Sequence, residues 1–208
     1  MTKNRLLIIF IKNPELGKCK TRLAATIGDQ KALQLYKEML DRTREIASIV
    51  SAHKTVFYSS FIDKNDNWPE NDHFSKSLQQ KGDLGDKMRL AFEQSFQAGY
   101  DSICIIGSDC YELDSQTINK AFQILETKDA VIGPSTDGGY YLIGMNHLIP
   151  EVFSNKNWST KTVSSDTIDD FTNLKISYGK LQVLTDIDTE EDLKTMPLAL
   201  VKRFLINY

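Results

Sequence analysis

Four cations crowd one short stretch near the start of the chain, KNPELGKCKTRL (12–23): Lys12, Lys18, Lys20 and Arg22. Only Glu15 opposes them, in a protein whose net charge is −3. Gly17 supplies a flexible turn, and backbone amides together with Lys18, Lys20 and Arg22 have the chemistry to surround phosphate oxygens. The stretch is not a P-loop. Gly17-Lys18 is followed by Cys19, and Lys20-Thr21 lacks the glycines that motif needs. A solvated basic loop is the plainer account, since charge runs are often only wet faces.

Three acidic stretches are possible counterparts. IIGSDCYEL (105–113) ends an apolar run in Ser108-Asp109, and a carboxylate there suits Mg²⁺, a hard cation held by one or two carboxylates plus the substrate's phosphates. Asp109 could equally cap the following turn. In TDIDTEEDL (185–193), Asp186 and Asp188 are the candidates, and one of them at most is expected to face such a metal. Capping competes here too, with Asp188 and Glu191 at capping-box spacing. In GPSTDGGYYLIGM (133–145), Asp137-Gly138-Gly139 reads as a hairpin turn. Paired glycines would also let backbone approach a ligand, with Tyr140 or Tyr141 lining the site.

Weaker features are QKGDLGDKM (80–88), a glycine-bearing turn whose helix N-terminus could face an anion or a base, and NWSTKT (157–162). There Trp158 stands beside a candidate Ser159 cap and could stack on a ring or fill core. His53, His73 and His147 are isolated and read as structural or surface residues. The pI near 5.7 argues against general affinity for nucleic acid or anionic membrane, so the local positive charge points to a small anionic ligand. Cys19, Cys104 and Cys110 show no C-x-x-C spacing, which indicates neither a disulfide framework nor a zinc site and fits a reducing cytoplasm. The apolar run LLIIFI (6–11) is too short for a signal segment or a membrane span. At 208 residues the chain has the length of one α/β domain, taken as 1–208.

Positioning these residues falls to strands predicted at 5–11, 54–60, 102–108, 129–135, 140–145 and 180–187. Continuous runs such as LLIIFI and ICIIG fit strands covered on both faces. Helical periodicity starts after Asp29, a plausible N-cap, again from Asp83, and over 115–127, with a short capped helix at 188–196. Alternating strands and helices imply a mostly parallel sheet with helices on both sides, binding ligands at the strands' carboxyl ends.

The ordered set IIFIKNPELGKCKTRL, GDLGDKM, IIGSDC, GPSTDGGYYLIG, WST and DIDTEEDL resembles a bacterial family of the nucleotide-diphospho-sugar transferase superfamily, of the arsenosugar-biosynthesis glycosyltransferase type. The family is similar in outline to the molybdenum-cofactor and phospholactate guanylyltransferases. The likeness spans residues 6 to 193. It implies a three-layer α/β/α GT-A fold with a mostly parallel mixed sheet. It implies that Lys12, Gly17, Lys18, Lys20, Thr21 and Arg22 hold a nucleotide's phosphates, with Gly82, Leu84 and Gly85 also on the nucleotide. Asp109 with Asp188 (or Asp186) would bind Mg²⁺ or Mn²⁺, and Asp137, Gly138 and Gly139 would face the transferred group or acceptor. Asp109, Lys20, Arg22 and Asp137 are the candidate catalytic residues. Tyr111 stands where the family pattern has proline. The resemblance implies a glycosyltransferase, monomeric or homodimeric, with a nucleotide-sugar donor and a small-molecule acceptor. The single acid after the central strand, rather than Asp-x-Asp, and the many cations lean instead toward nucleotidyl transfer from a nucleoside triphosphate. A non-catalytic nucleotide-binding module would keep the basic loop without needing Asp109.

Overall fold

The computed structural model describes residues 4–71 and 73–204. The apolar runs form the centre of one sheet: β1 (Arg5–Ile11), β2 (His53–Tyr58), β4 (Ser102–Ile106), β5 (Ala130–Pro134) and β6 (Tyr140–Met145), joined by β3 (Phe74–Leu78) and β7 (Tyr178–Lys180). Their order is β3-β2-β1-β4-β6-β5-β7. Only β6 runs against its neighbours, paired antiparallel to both β4 and β5. From β1 the chain winds outward to β2 and β3, then returns to the other side of β1 as β4. The carboxyl ends of β1 and β4 therefore flank the topological switch point, where open α/β sheets bind ligands.

Both faces of β1 and β4 are covered, which explains their unbroken apolar sequence. Leu7, Ile9, Cys104 and Ile106 pack under α2 (Asp29–Ile49) and α4 (Ser115–Ile124). Leu6, Ile8, Ile103 and Ile105 pack on the other side under α3 (Leu84–Gln97) and α5 (Val163–Asn173). A third cluster lies outside α2, where Leu23 of α1 (Thr21–Ile27) and Phe204 of α6 (Leu198–Phe204) meet Leu35 and Met39. Asp83 and Asp114 cap α3 and α4 by accepting the amides of Asp86 and Thr117. Among the described residues no helix is long and apolar enough to cross a membrane.

Four sequence expectations are corrected. The run at 180–187 is not a continuous strand: β7 ends at Lys180, and beyond it only isolated bridges join Leu184 to Ser135 and Asp186 to Cys110. The chain must leave the edge of β5 to reach the end of β4, and a straight strand cannot do both. At α2, Gly28 holds the cap position and Asp29 only places its charge in the first turn. At 188–196 Glu190 holds the cap position of a 3₁₀ turn at Glu191–Thr195 without a side-chain cap bond, and Asp192, inside the turn, accepts the amides of Asp188 and Thr189. Ser159 caps nothing; it sits at φ 66, and α5 begins four residues later.

Candidate active site

The basic stretch leaves β1 at the switch point and folds back on itself before α1. Asn13, buried, anchors it: its amide oxygen accepts from the Ser60 amide at 3.0 Å and its amide nitrogen donates to the Phe61 carbonyl at 2.8 Å. Glu15 pairs with Lys18 at 2.9 Å, which turns Lys18 outward. The chain then enters α1 through Lys20, held in the left-handed region at φ 50, which is uncommon for a residue with a side chain. That backbone turn sends the Lys20 side chain inward, where only 3% of it is exposed.

Its ammonium lies 2.9 Å from Asp109 Oδ1 and 3.0 Å from Asp188 Oδ1. The two acids are brought together through the backbone. The Ile187 amide donates to the Asp109 carbonyl at 2.8 Å, and Cys110 bridges Asp186 beside it. Asp188 thereby reaches Lys20, while Asp186, two residues earlier, lines the apolar pocket beside Asp109. Burial alone would depress the Lys20 ammonium, yet the two carboxylates hold it above its ordinary value. Asp188 shows the converse: against burial, Lys20 holds its carboxyl below the usual range. Asp186 is pushed up to about 7 by burial and by the negative charge of Asp109 and Asp137.

That shift has a consequence for stability. The unfolded carboxyl ionises near pH 4 and the folded one near 7, so across this window the unfolded state binds fewer protons and stability falls as pH rises. In metal-free protein, Asp186→Asn removes this pH dependence: relative to wild type it gains at most about 4 kcal/mol on going from pH 4 to pH 8. Melting curves of both proteins across that range check it; identical pH profiles refute it.

Two pockets meet at Asp109. The polar one, of about 310 Å³, is lined by Lys20, Thr21, Arg22, Asp137, Ser159 and Asp188. The apolar one, of about 280 Å³, is lined among others by Phe10, Gln79, Leu84, Met88 and Tyr140. Lys12, Tyr36 and Asp109 belong to both. Asp137 spends Oδ1 on the Ser135 hydroxyl at 2.6 Å and the Gly139 amide at 2.9 Å, and no protein donor among the described residues meets its other oxygen.

The residues singled out in the sequence that share this rim include Lys12, Lys20, Thr21, Arg22, Leu84, Asp109, Asp137 and Asp188, together with Tyr140, Tyr141, Ser159 and Asp186. The candidate glycines Gly17, Gly82, Gly85, Gly138 and Gly139 line neither pocket. Gly17 makes the turn before Lys18 at φ 72, and Gly82 precedes α3 at φ 127. A side chain at Gly85 would strike Trp158, and one at Gly138 would strike the Lys161 backbone, so these two serve close packing. Trp158 fills that packing and lines neither pocket. Tyr111, in place of proline, is fixed by Arg42, which stacks 4.5 Å over its ring and donates to its carbonyl at 2.7 Å. The stiffness a proline would give after Asp109 comes from this clamp.

Sequence reasoning missed Tyr36 and Gln79. Tyr36 reads as one more apolar-face residue of a helix, yet its buried hydroxyl accepts from the Lys12 amide at 2.9 Å and meets Ser108 Oγ at 3.1 Å. It ties the end of β1 to the end of β4. The Gln79 amide donates to the Ile11 and Phe57 carbonyls, both at 3.0 Å, which leaves its oxygen as an acceptor at the apolar pocket. No local pattern distinguishes it from its neighbour Gln80.

A divalent cation can be tested against these residues. Asp109 and Asp188 already present one oxygen each to a single cation, the Lys20 ammonium. Among the described residues no third His, Cys, Asp or Glu joins them as a metal cluster. Two hard oxygens, with water and phosphate completing the shell, match the habit of Mg²⁺ and Mn²⁺. The residues fit.

No curated protein matches the chain in sequence. Among solved structures, it is similar to a candidate nucleotide-diphospho-sugar transferase of Desulfovibrio desulfuricans G20, at 28% identity and TM-score 0.86, over 99% of this chain and 100% of that one. It shares its fold with 4-diphosphocytidyl-2C-methyl-D-erythritol synthase of Anaerococcus prevotii DSM 20548, at 11% identity and TM-score 0.55, over 92% of this chain and 95% of that one. Glucosyl-3-phosphoglycerate synthase of Mycobacterium tuberculosis, solved with Mn²⁺, UDP and glucosyl-3-phosphoglycerate, is similar at 13% identity and TM-score 0.51, over 88% of this chain and 72% of that one. The mixed, mostly parallel sheet is thus of the GT-A and nucleotidyltransferase type. The model of the family described as "Uncharacterized protein conserved in bacteria (DUF2064)" matches residues 42–160, more than half of the chain, and the chain belongs to that family.

Proposed function

We propose that the protein is a metal-dependent glycosyltransferase with a nucleotide-diphospho-sugar donor, of the arsenosugar-biosynthesis type its motifs resemble. One observation carries the reading: two acids 79 positions apart converge on one cation within a polar, charge-lined pocket, directly beside an apolar pocket. The apolar pocket suits a nucleobase, with the Gln79 oxygen accepting from a ring N–H. The polar pocket suits the diphosphate, which Lys12, Thr21 and Arg22 would hold. A divalent cation on Asp109 and Asp188 supplies neutralisation of the departing diphosphate. Fixed charges of this kind act where charge develops, and one well-placed donor contributes about 3–4 kcal/mol to barrier lowering. The unoccupied oxygen of Asp137 is the group placed to take the acceptor hydroxyl's proton. The likeness to the Desulfovibrio protein, at 28% identity, supports sugar transfer over the alternative.

Nucleotidyl transfer is the second reading. It is favoured by the single acid at the end of β4 and by a buried lysine set against it, suited to the α-phosphate of a nucleoside triphosphate. Thermal-shift screening of nucleotide-sugars against nucleoside triphosphates, with and without Mn²⁺, separates the two. A ligand at a hundredfold excess over its Kd adds about 2.7 kcal/mol of apparent stability. The expected outcome is a metal-dependent shift with a nucleotide-sugar and release of nucleoside diphosphate on adding acceptor. A triphosphate that wins and yields pyrophosphate reverses the order.

A further inference from the structure

Lys20 occupies the position between Asp109 and Asp188 where the divalent cation would sit. Its ammonium touches one oxygen of each acid at 2.9 and 3.0 Å, with the side chain 3% exposed. Among the described residues no other cation pairs with Asp109, and only Arg22 approaches Asp188, at 4.0 Å. Two carboxylates this close, with neither ammonium nor metal between them, would repel in a partly desolvated site. An ammonium and a dication cannot share the same oxygens, because their own repulsion would exceed what each gains.

We propose that Lys20 is the resident counter-ion of the metal seat and exchanges places with the divalent cation, its ammonium passing from Asp109 and Asp188 to the donor's phosphates as the cation arrives. The inference rests on the metal-dependent reading above and deepens it. Metal alone must break both ion pairs and strand a buried ammonium beside a dication, so it binds weakly. Nucleotide alone brings phosphates toward two carboxylates whose charge is only partly neutralised. Together the two ligands satisfy every group: carboxylates on the cation, ammonium on the phosphates. Cation and donor therefore bind as a positively coupled pair, each raising the other's affinity by the same factor. Lys20 suits the exchange because its side chain lies along the wall of the polar pocket, one residue before Thr21 and two before Arg22.

The test uses Mn²⁺ alone, read by calorimetry and by the electron-spin signal of free Mn²⁺, with no donor present. Lys20→Met keeps the buried stem and removes the charge. It is expected to bind Mn²⁺ at least tenfold more tightly than wild type, and adding Asp109→Asn should abolish the gain. Lys20→Gln serves as the second variant should the first fold poorly, and Mn²⁺ should raise the melting temperature of either more than that of wild type. Variants that bind Mn²⁺ no more tightly than wild type overturn the exchange. Should those variants fail while wild type still consumes nucleotide-sugar in a metal-dependent way, the exchange is wrong and the glycosyltransferase reading stands. Tight variants in a protein that makes no sugar product leave the exchange intact and remove the reading.

Discussion

Asp109→Asn is expected to lower turnover about a thousandfold or more while the protein stays folded. The substitution keeps the shape of the side chain and an oxygen acceptor for Lys20, whose second partner, Asp188, is untouched. It removes one of only two carboxylates facing the cation position, and with it the charge that a metal needs. Loss of a single preorganised charged contact to a developing anion costs about a hundred- to a thousandfold, and here the metal contact of the leaving group is lost with it. Because the Asp109 side chain is 42% exposed, stability should change little, by about 1 kcal/mol or less. Product formation and a melting curve on the same preparation check both halves. Turnover within tenfold of wild type would remove Asp109 from the chemistry, and a catalytically silent nucleotide binder would then be the better account.

Gly138→Ala is expected to cost a large share of the stability at any pH. The residue sits at φ 92, where a side chain is strained, and its Cβ would run into the Lys161 backbone. Backbone cannot swing aside as a side-chain tip can. The Gly138 carbonyl also accepts the Ser164 amide at 2.8 Å, which locks the hairpin to the start of α5. Strain of about 1–3 kcal/mol at the dihedral adds to about 1–3 kcal/mol for overpacking, so about 2–6 kcal/mol of stability should be lost. The denaturant midpoint reports it. Donor affinity should fall as well, since Asp137 rides on the same turn. An unchanged midpoint would mean that the 157–162 segment yields freely, and the packing role given to Gly138 would be wrong.

The paired glycines show how a sequence signal can be right in place and different in cause. Asp137-Gly138-Gly139 is both the hairpin turn its composition implies and a neighbour of the site. Only Asp137 reaches a pocket, because the tight approach that Gly138 permits is to the protein's own backbone. Lys18 is similar: one of four cations by composition, it is withdrawn by Glu15 three residues away. Counting charges overstated the basic surface facing phosphate, because local pairing and the Asp109–Lys20–Asp188 cluster had already consumed part of it.

The central strands were legible because they are covered on both faces and must be apolar throughout, a constraint written residue by residue. Long helices with one buried face, α2 to α4, were legible for the same local reason. β3 was not: at a sheet edge, FSKSL keeps two serines, and its Lys76, whose side chain is buried, is carried by a 2.7 Å ion pair with Asp66. Nor was α1, seven residues entered through a left-handed lysine.

By itself the chain specified the alternation of strands and helices, the presence of a cationic loop after the first strand and an acid after the fourth. These are near-neighbour properties, set by periodicity and residue type. Only the folded arrangement decided that Asp188 and not Asp186 meets Asp109 across Lys20, that Tyr36 and Gln79 belong to the site, and that an apolar chamber opens beside the charged one. Those facts depend on one backbone crossing between segments far apart in the chain, pinned by the Ile187 amide on the Asp109 carbonyl.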